Sequence, residues 1–316
     1  MSKHSTPPTV FSSLQHTRLN PLWQTLKNIH GKAGQRWLET LPQQLQTLLE
    51  QRHWQLLPMH YKLSYHLVLS TSAGVLKLSP PCEAFTREIE ALKAYQGIPG
   101  VVKLLDCDPD FGYLLLETLT DQTLGHRYQD LAQDRQLTEQ MVKIIQNLHG
   151  HSQQNTPHPR AKFPQLADYC DGFTRYHARY QGKTAPFEPE QVRQAENCFQ
   201  SLCRTSPEPV LLHGDLHGYN ILIHQQEPVI IDPKGVWGDP AFEPTAFLFN
   251  HLPTDRDAQE ACLKQRLAIF KTAFGERVLP WAFAQSVLSA LWHDEDGEDG
   301  HEAMALAARL QSWLKV

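Results

Sequence analysis

His213-Gly214-Asp215-Leu216-His217-Gly218-Tyr219-Asn220 lies between two short apolar runs, Val210–Leu212 and Ile221–Ile223, and Asp232 follows in Ile230-Ile231-Asp232-Pro233. Two carboxylates and a carboxamide are thus carried to the ends of neighbouring strand-like segments. Phosphoryl transfer from a nucleotide needs oxygen ligands for Mg²⁺, a group that orients the attacking hydroxyl and takes its proton, and a cation on the phosphates. The H-x-D-x-x-x-x-N spacing suits Asp215 as the residue that positions the acceptor hydroxyl, with Asn220 as a metal ligand and Asp232 as a second one. The competing reading is a pair of strand-end turns, since Asp, Asn and Gly are ordinary turn formers.

The phosphate cation is expected in the β-rich part of the chain that precedes this loop. Lys77 in Val75-Leu76-Lys77-Leu78 is the candidate, and the helix that follows carries Glu88 to pair with it, as kinases pair a strand lysine with a helix glutamate. Glu90 lies about 200° further round that helix. Glu88 is preferred because Leu92 and Tyr95 share its face. Leu114-Leu115-Leu116-Glu117-Thr118-Leu119 could offer backbone groups to an adenine edge at Glu117, with Leu119 as lining; a buried strand and a loop read equally well from the residues.

Other patterns are set aside. Gly182-Lys183-Thr184 imitates the end of a Walker loop, but His177 stands where its first glycine is needed. Gly214-Asp215-Leu216-His217-Gly218 imitates the first turn of a dinuclear metallophosphoesterase, which needs a later Gly-Asn-His turn that the chain lacks. His213 and His217 are four apart, as zinc ligands on a helix would be, yet Gly214, Gly218 and the flanking strands argue against a helix there.

The supporting elements read as follows. Trp37, Leu38, Leu41, Leu45, Leu48 and Leu49 recur at helical spacing, after a polar start to about residue 20 that reads as poorly ordered. Short β-type runs follow at Trp54–Leu57, Tyr65–Leu69 and Val75–Leu78, then one helix carrying Phe85, Ile89, Leu92 and Tyr95, then runs at Val101–Leu105 and Tyr113–Leu116. Helices are expected at about 122–135, 138–149, 165–181, 188–204, 240–250, 255–274, 280–292 and 301–314. This is an α+β pattern. It gives an N-terminal extension with a helix over 1–50, a small antiparallel-sheet lobe with one helix over 51–117, and a larger, mainly helical lobe over 118–316 that holds the catalytic and metal-binding loops.

Composition excludes several classes. The 316 residues are 41% hydrophobic and 20% charged, an ordinary globular balance, and 29 Lys+Arg against 34 Asp+Glu gives a net charge of -5. No basic footprint for nucleic acid or anionic membrane is present, and no apolar run is long enough for a membrane span. The six scattered cysteines form no C-x-x-C pair and read as reduced thiols, which with the lack of a secretory apolar core points to a cytoplasmic protein. Oligomeric state is not legible.

The stretches Leu212–Leu222, Ile231-Asp232-Pro233-Lys234 and Gly238-Asp239-Pro240-Ala241-Phe242 resemble the aminoglycoside phosphotransferase group of the protein-kinase-like superfamily, most closely its streptomycin 6-phosphotransferase and hydroxyurea-resistance kinase branch. Weaker support comes from Val75-Leu76-Lys77, Val101–Asp106, Leu115-Leu116-Glu117, Leu148-His149 and Trp37–Pro42. The resemblance covers about residues 30 to 315. It implies a kinase-like bilobal fold, ATP with Mg²⁺, and a small hydroxylated acceptor rather than a protein.

Carried over by position, Asp215 resembles the catalytic base, Asn220 and Asp232 the metal ligands, Lys77 the phosphate-binding lysine and Glu88 its partner. Asp239 resembles a structural carboxylate, and Lys234 matches the branch without an assigned role. Two departures stand out: the turn Pro58–Ser64 has no glycine where a flexible phosphate-covering loop is usual, and Glu243-Pro244 replaces an Asp and a small apolar residue, which should shift the start of the next helix. The expected activity is ATP- and Mg²⁺-dependent O-phosphorylation of a small, cationic molecule, an aminoglycoside such as streptomycin. Fructosamine-, choline- and homoserine-type kinases and a non-catalytic nucleotide-binding module are the alternatives. The acidic run from Asp294 to Asp299 could contact a cationic acceptor or be a solvated loop.

Overall fold

A computed structural model of the chain describes residues 20–57, 66–119, 123–124, 130–154 and 162–314. The polar start and the glycine-free turn Pro58–Ser64 lie outside the described residues. The chain divides into two compact units: the described residues of 1–96 with 102–119, and those of 97–101 with 120–316. No described helix is long and apolar enough to cross a membrane.

The first unit is built on a four-stranded antiparallel sheet in the order β1-β2-β4-β3, with β1 Leu67–Thr71, β2 Gly74–Leu78, β3 Leu104–Asp108 and β4 Tyr113–Leu116. Strand side chains alternate between faces, so Leu67, Leu69, Leu76, Leu78, Tyr113 and Leu115 form one apolar layer. That layer is covered by α1, Asn20–Arg52, through Trp37, Leu41, Leu45, Leu48 and Leu49. The N-terminal helix therefore completes the core of this unit, and a non-helical Gly31 kinks it. The run Trp54–Leu57, expected as a strand, contributes only a bridge, Leu56 with Thr71, and the hydrogen bonds Leu57 N to Ser70 O (2.9 Å) and Ser72 N to Gln55 O (2.8 Å). Lys77 pairs with Val68 and Leu114 in register and, one residue out of step with Leu76 and Leu78, points to the opposite face. The helix α2, Glu83–Ala94, buries Phe85, Glu88, Ile89 and Leu92.

The second unit is mainly helical: α3 Leu131–Gln154, α4 Asp171–Tyr180, α5 Pro189–Arg204, α6 Thr245–Phe249, α7 Arg256–Phe274, α8 Val278–Asp296 and α9 His301–Leu314. At its centre α8 is apolar almost all round, with Trp281, Phe283, Ala284, Val287, Leu288 and Leu291 buried, as expected of a helix enclosed by others. The helices expected at 122–135 and 138–149 differ from what is observed. The stretch 125–129 lies outside the described residues, and one continuous helix starts at Leu131. Asp134, in the first turn of that helix, is buried against Arg266 of α7 at 2.6 Å. The helix expected over 240–250 is also interrupted: a 3₁₀ turn, Pro240–Phe242, precedes α6, because Pro244 has no N–H to continue a ladder and caps the second helix instead.

The acidic run is not a loop up to Asp296. Its first part is the last turn of α8, which stops at Gly297 in the left-handed conformation (φ 79°). Arg175 of α4 grips both Glu295 oxygens (2.7 and 2.9 Å), Arg179 donates to Asp294 O (2.7 Å), and the Tyr180 hydroxyl donates to Asp294 Oδ1 (2.8 Å). Asp294 and Glu295 thus hold α4 to α8 and are already matched by cations. The Glu295 carboxyl is held below its ordinary value by its hydrogen bonds to Arg175.

Two short β-ladders interrupt the helices and carry the polar residues. The strand β5, Val210–Leu212, pairs antiparallel with β8, Val236–Gly238, while β6, Ile221–His224, and β7, Glu227–Ile230, form a hairpin. The hairpin is tied down where Ile230 N donates to Gly100 O at 2.7 Å.

Candidate functional site

Within the first unit, Lys77 Nζ lies 2.7 and 2.9 Å from the two oxygens of Glu88, and both side chains are buried. An ion pair withdrawn from water in this way holds the ammonium in one place. Glu90, on the other side of the helix, turns to Lys93 at 3.1 Å. Glu117 follows β4. Its N–H donates to Lys103 O (3.0 Å), and its carboxylate accepts from Lys103 N (2.9 Å) and faces Lys103 Nζ (3.3 Å). Its side chain is therefore occupied inside its own unit, which leaves its C=O, with the N–H of the half-buried Leu119, as the groups a flat heterocycle could use.

In the second unit the loop after β5 and the hairpin end meet. Ile221 is opposite Ile230, and Ile231 N donates to Asn220 O at 2.9 Å, so Asn220 and Asp232 emerge side by side at the mouth of the hairpin. Asn220 Nδ2 donates to Asp215 O at 2.8 Å, fixing the amide to the loop. Asp232 has φ 59°, a left-handed conformation uncommon outside glycine, held between the ladder and the rigid Pro233.

Two histidines hold this arrangement. His213 Nε2–H donates to Ile231 O (2.9 Å) while its Nδ1 accepts from Asp215 N (3.3 Å), linking the loop after β5 to the residue before Asp232. His217 accepts from Tyr219 N through Nδ1 (3.2 Å), which puts its hydrogen on Nε2, 3.7 Å from Asp215 Oδ1. Burial pushes the His217 imidazole below its ordinary value, with His213 and Lys234 acting in the same direction against Asp215 and Asp232. At neutral pH it is an uncharged dipole turned toward Asp215. The Asp215 side chain itself is 36% exposed.

Beneath the loop lies Glu243, a residue that sequence reasoning noted only as a departure. Its carboxylate is buried and accepts from His213 N (2.7 Å) and Gly214 N (3.0 Å), while His149 Nε2 stands 3.6 Å away, too far for a hydrogen bond. Burial pushes this carboxyl up, but His149, His213 and the Gly214 amide outweigh it, and the net direction is downward. Asp239 is likewise structural. It accepts from Ala241 N (2.9 Å), Arg277 Nε (2.7 Å) and Trp281 Nε1 (2.8 Å), anchoring the start of α8.

No group of three His, Cys, Asp or Glu side chains gathers as a metal cage among the described residues. The side-chain oxygens of Asn220 and Asp232, at the hairpin mouth, are hard donors, and two of them suit Mg²⁺, which keeps waters and takes phosphate oxygens for the rest. The second unit thus offers an exposed carboxylate for a hydroxyl and two oxygen donors for a metal–phosphate complex; the first offers a fixed ammonium.

The sequence profile of the aminoglycoside/hydroxyurea antibiotic resistance kinases matches residues 63–297. A streptomycin 6-kinase of Streptomyces glaucescens is 28% identical over 294 residues, covering 88% of this chain and 91% of that protein. A hydroxyurea phosphotransferase of Kitasatospora aureofaciens is 29% identical over 281 residues, covering 85% and 77%. Among solved structures, the choline kinase LicA of Streptococcus pneumoniae superposes with a TM-score of 0.60 at 15% identity, covering 88% of this chain and 99% of that one, which shows the kinase-like fold. The chain belongs to the aminoglycoside/hydroxyurea antibiotic resistance kinase family and is a small-molecule phosphotransferase.

Proposed function

We propose that the chain transfers the γ-phosphoryl group of ATP, in the presence of Mg²⁺, to a hydroxyl of a small cationic molecule, with an aminoglycoside such as streptomycin as the leading acceptor. The observation that carries this reading is the Asn220 Nδ2 to Asp215 O hydrogen bond (2.8 Å), which joins the hydroxyl-directed carboxylate and the metal-directed amide in one rigid loop. Asp215 orients the acceptor hydroxyl and takes its proton. Asn220 Oδ1 and Asp232 hold Mg²⁺, which when bound neutralises phosphate charge. Lys77, fixed by Glu88, addresses the phosphates; the Glu117 C=O and Leu119 N–H address the adenine edge.

The structure of LicA in complex with AMP belongs to a protein of the same fold, and two streptomycin 6-kinases are among the relatives, which supports nucleotide and acceptor alike. The cationic character of the acceptor rests on those relatives, since Asp294 and Glu295 are already paired with Arg175 and Arg179.

Incubation with ATP, Mg²⁺ and a panel of aminoglycosides, amino alcohols, glycated amines and hydroxyurea, read as ADP formed, should show turnover with streptomycin. Turnover with another member alone would replace the acceptor. No turnover above the acceptor-free rate with any member would contradict transfer.

Lys77→Ala should lower kcat/KM for ATP by about 10- to 100-fold, the scale of losing one fixed charge on a phosphate. Glu88→Gln, which leaves the lysine present but unheld, should do less. Steady-state kinetics at varied ATP checks both, and a rate unchanged in Lys77→Ala would assign the phosphates to another cation.

A further inference from the structure

Lys234 is bound to the catalytic loop more closely than its place in the sequence suggests. Its N–H donates to His213 O (2.8 Å), as does that of Gly235 (3.3 Å), and the next residue, Val236, pairs with Leu212 in the β5/β8 ladder. Gly214 packs against this segment so tightly that a Cβ there would lie 3.0 Å from Val236 Cγ2 and 3.3 Å from the Lys234 Cβ. Left-handed turns at Asp232 (φ 59°) and Gly235 (φ 65°) bend residues 232–235 back over the loop. At the end of this rigid base the Lys234 ammonium stands 3.6 Å from Asp215 Oδ2, with 60% of its side chain exposed. The opposite oxygen of the same carboxylate faces His217 Nε2 at 3.7 Å.

A surface pair of this kind adds little to folding stability, so stability does not explain it. Its chemical value lies elsewhere. A hydroxyl hydrogen-bonded to Asp215 must meet the γ-phosphorus about 3–3.5 Å away, so a phosphoryl group carrying negative charge has to approach an ionised carboxylate. An ammonium beside that carboxylate, on a flexible four-carbon stem, offsets the repulsion and can reach the phosphoryl oxygens.

We propose that Lys234 is a catalytic residue that contacts the phosphoryl group during transfer, a second phosphate cation besides Lys77. The inference rests on the phosphotransferase reading above. In the step, the acceptor O–H gives its proton to Asp215, the new O–P bond forms, and the bond between the γ-phosphorus and the β–γ bridging oxygen breaks with its electron pair leaving on ADP. Lys234 stays protonated throughout and exchanges no proton.

The test compares wild type, Lys234→Met and Lys234→Arg by kinetics and by calorimetric binding of Mg·ADP, with and without aluminium fluoride as a mimic of the transferring phosphoryl group, acceptor present. Lys234→Met should lower kcat by about 10²-fold. It should bind ADP alone as wild type does and lose the extra affinity that fluoride confers, while Lys234→Arg should recover much of both. Lys234→Met with wild-type kcat and full fluoride tightening would overturn the proposal, as would an equal loss of plain ADP affinity, which marks a structural role. A wild type that neither turns over ATP nor tightens with fluoride would overturn the transfer reading and this inference with it.

Discussion

Asp215→Ala should lower kcat by about 10²- to 10⁴-fold, the range for losing a positioned general base, while the dissociation constant for ATP changes little. The separation of the two effects follows from the loop. Asn220 is tied to the Asp215 backbone oxygen, His213 Nδ1 accepts from the Asp215 N–H, and Glu243 holds His213 and Gly214, so these four hydrogen bonds survive removal of the carboxylate. The side chain is partly exposed and, among the described residues, its ion-pair neighbours Lys234 and His217 stand 3.6 and 3.7 Å away, so folding stability should also be nearly unchanged. Asp215→Asn, which keeps the shape and loses the proton acceptor, should be almost as slow. Steady-state kinetics and calorimetric ATP binding on the same preparations read the two quantities, and wild-type turnover in either variant would remove Asp215 from the role.

Glu243→Ala should damage both stability and rate. The variant leaves two amides, of His213 and Gly214, without their acceptor inside the protein, at about 1–3 kcal/mol each. A loss of about 2–6 kcal/mol, a large part of the stability of a typical domain, is expected in denaturant unfolding. Because the same two amides set the path of the chain into Asp215, kcat should fall even where the variant remains folded, with a smaller effect on KM.

The pH dependence has a definite sign. The folded Glu243 carboxyl sits below its ordinary value of 4.5, so its stabilising contribution is complete above that pH and is lost as pH falls through the folded value. The stability gap between wild type and Glu243→Gln should therefore be widest near neutrality and narrow in acid. A gap that does not depend on pH would show that the charge of Glu243 is unimportant.

The proposed chemistry is legible because it is local. Asp215, Asn220 and Asp232 lie within 18 residues on two strand ends, and their spacing alone brings them to one rim. The bounds of α5, α7 and α9 are legible too, since their apolar residues recur between polar breaks. What was hidden depends on distant partners. Glu243 meets His213 thirty residues earlier and His149 on α3, and its replacement of the usual Asp was the one local sign of it. The acidic run read as a loop because its pairing with Arg175 and Arg179 spans about 115 to 120 residues. Lys234 has no role legible in the sequence because only the β5/β8 register places it beside Asp215.

The most direct measurement is transfer itself. With ATP labelled on the γ-phosphate, Mg²⁺ and streptomycin, wild type should yield labelled streptomycin with the phosphate esterified to one of its hydroxyl oxygens, seen by phosphorus NMR, and Asp215→Ala should yield none in the same time. Label appearing only as inorganic phosphate, or equal labelling of the acceptor by both proteins, would contradict the account.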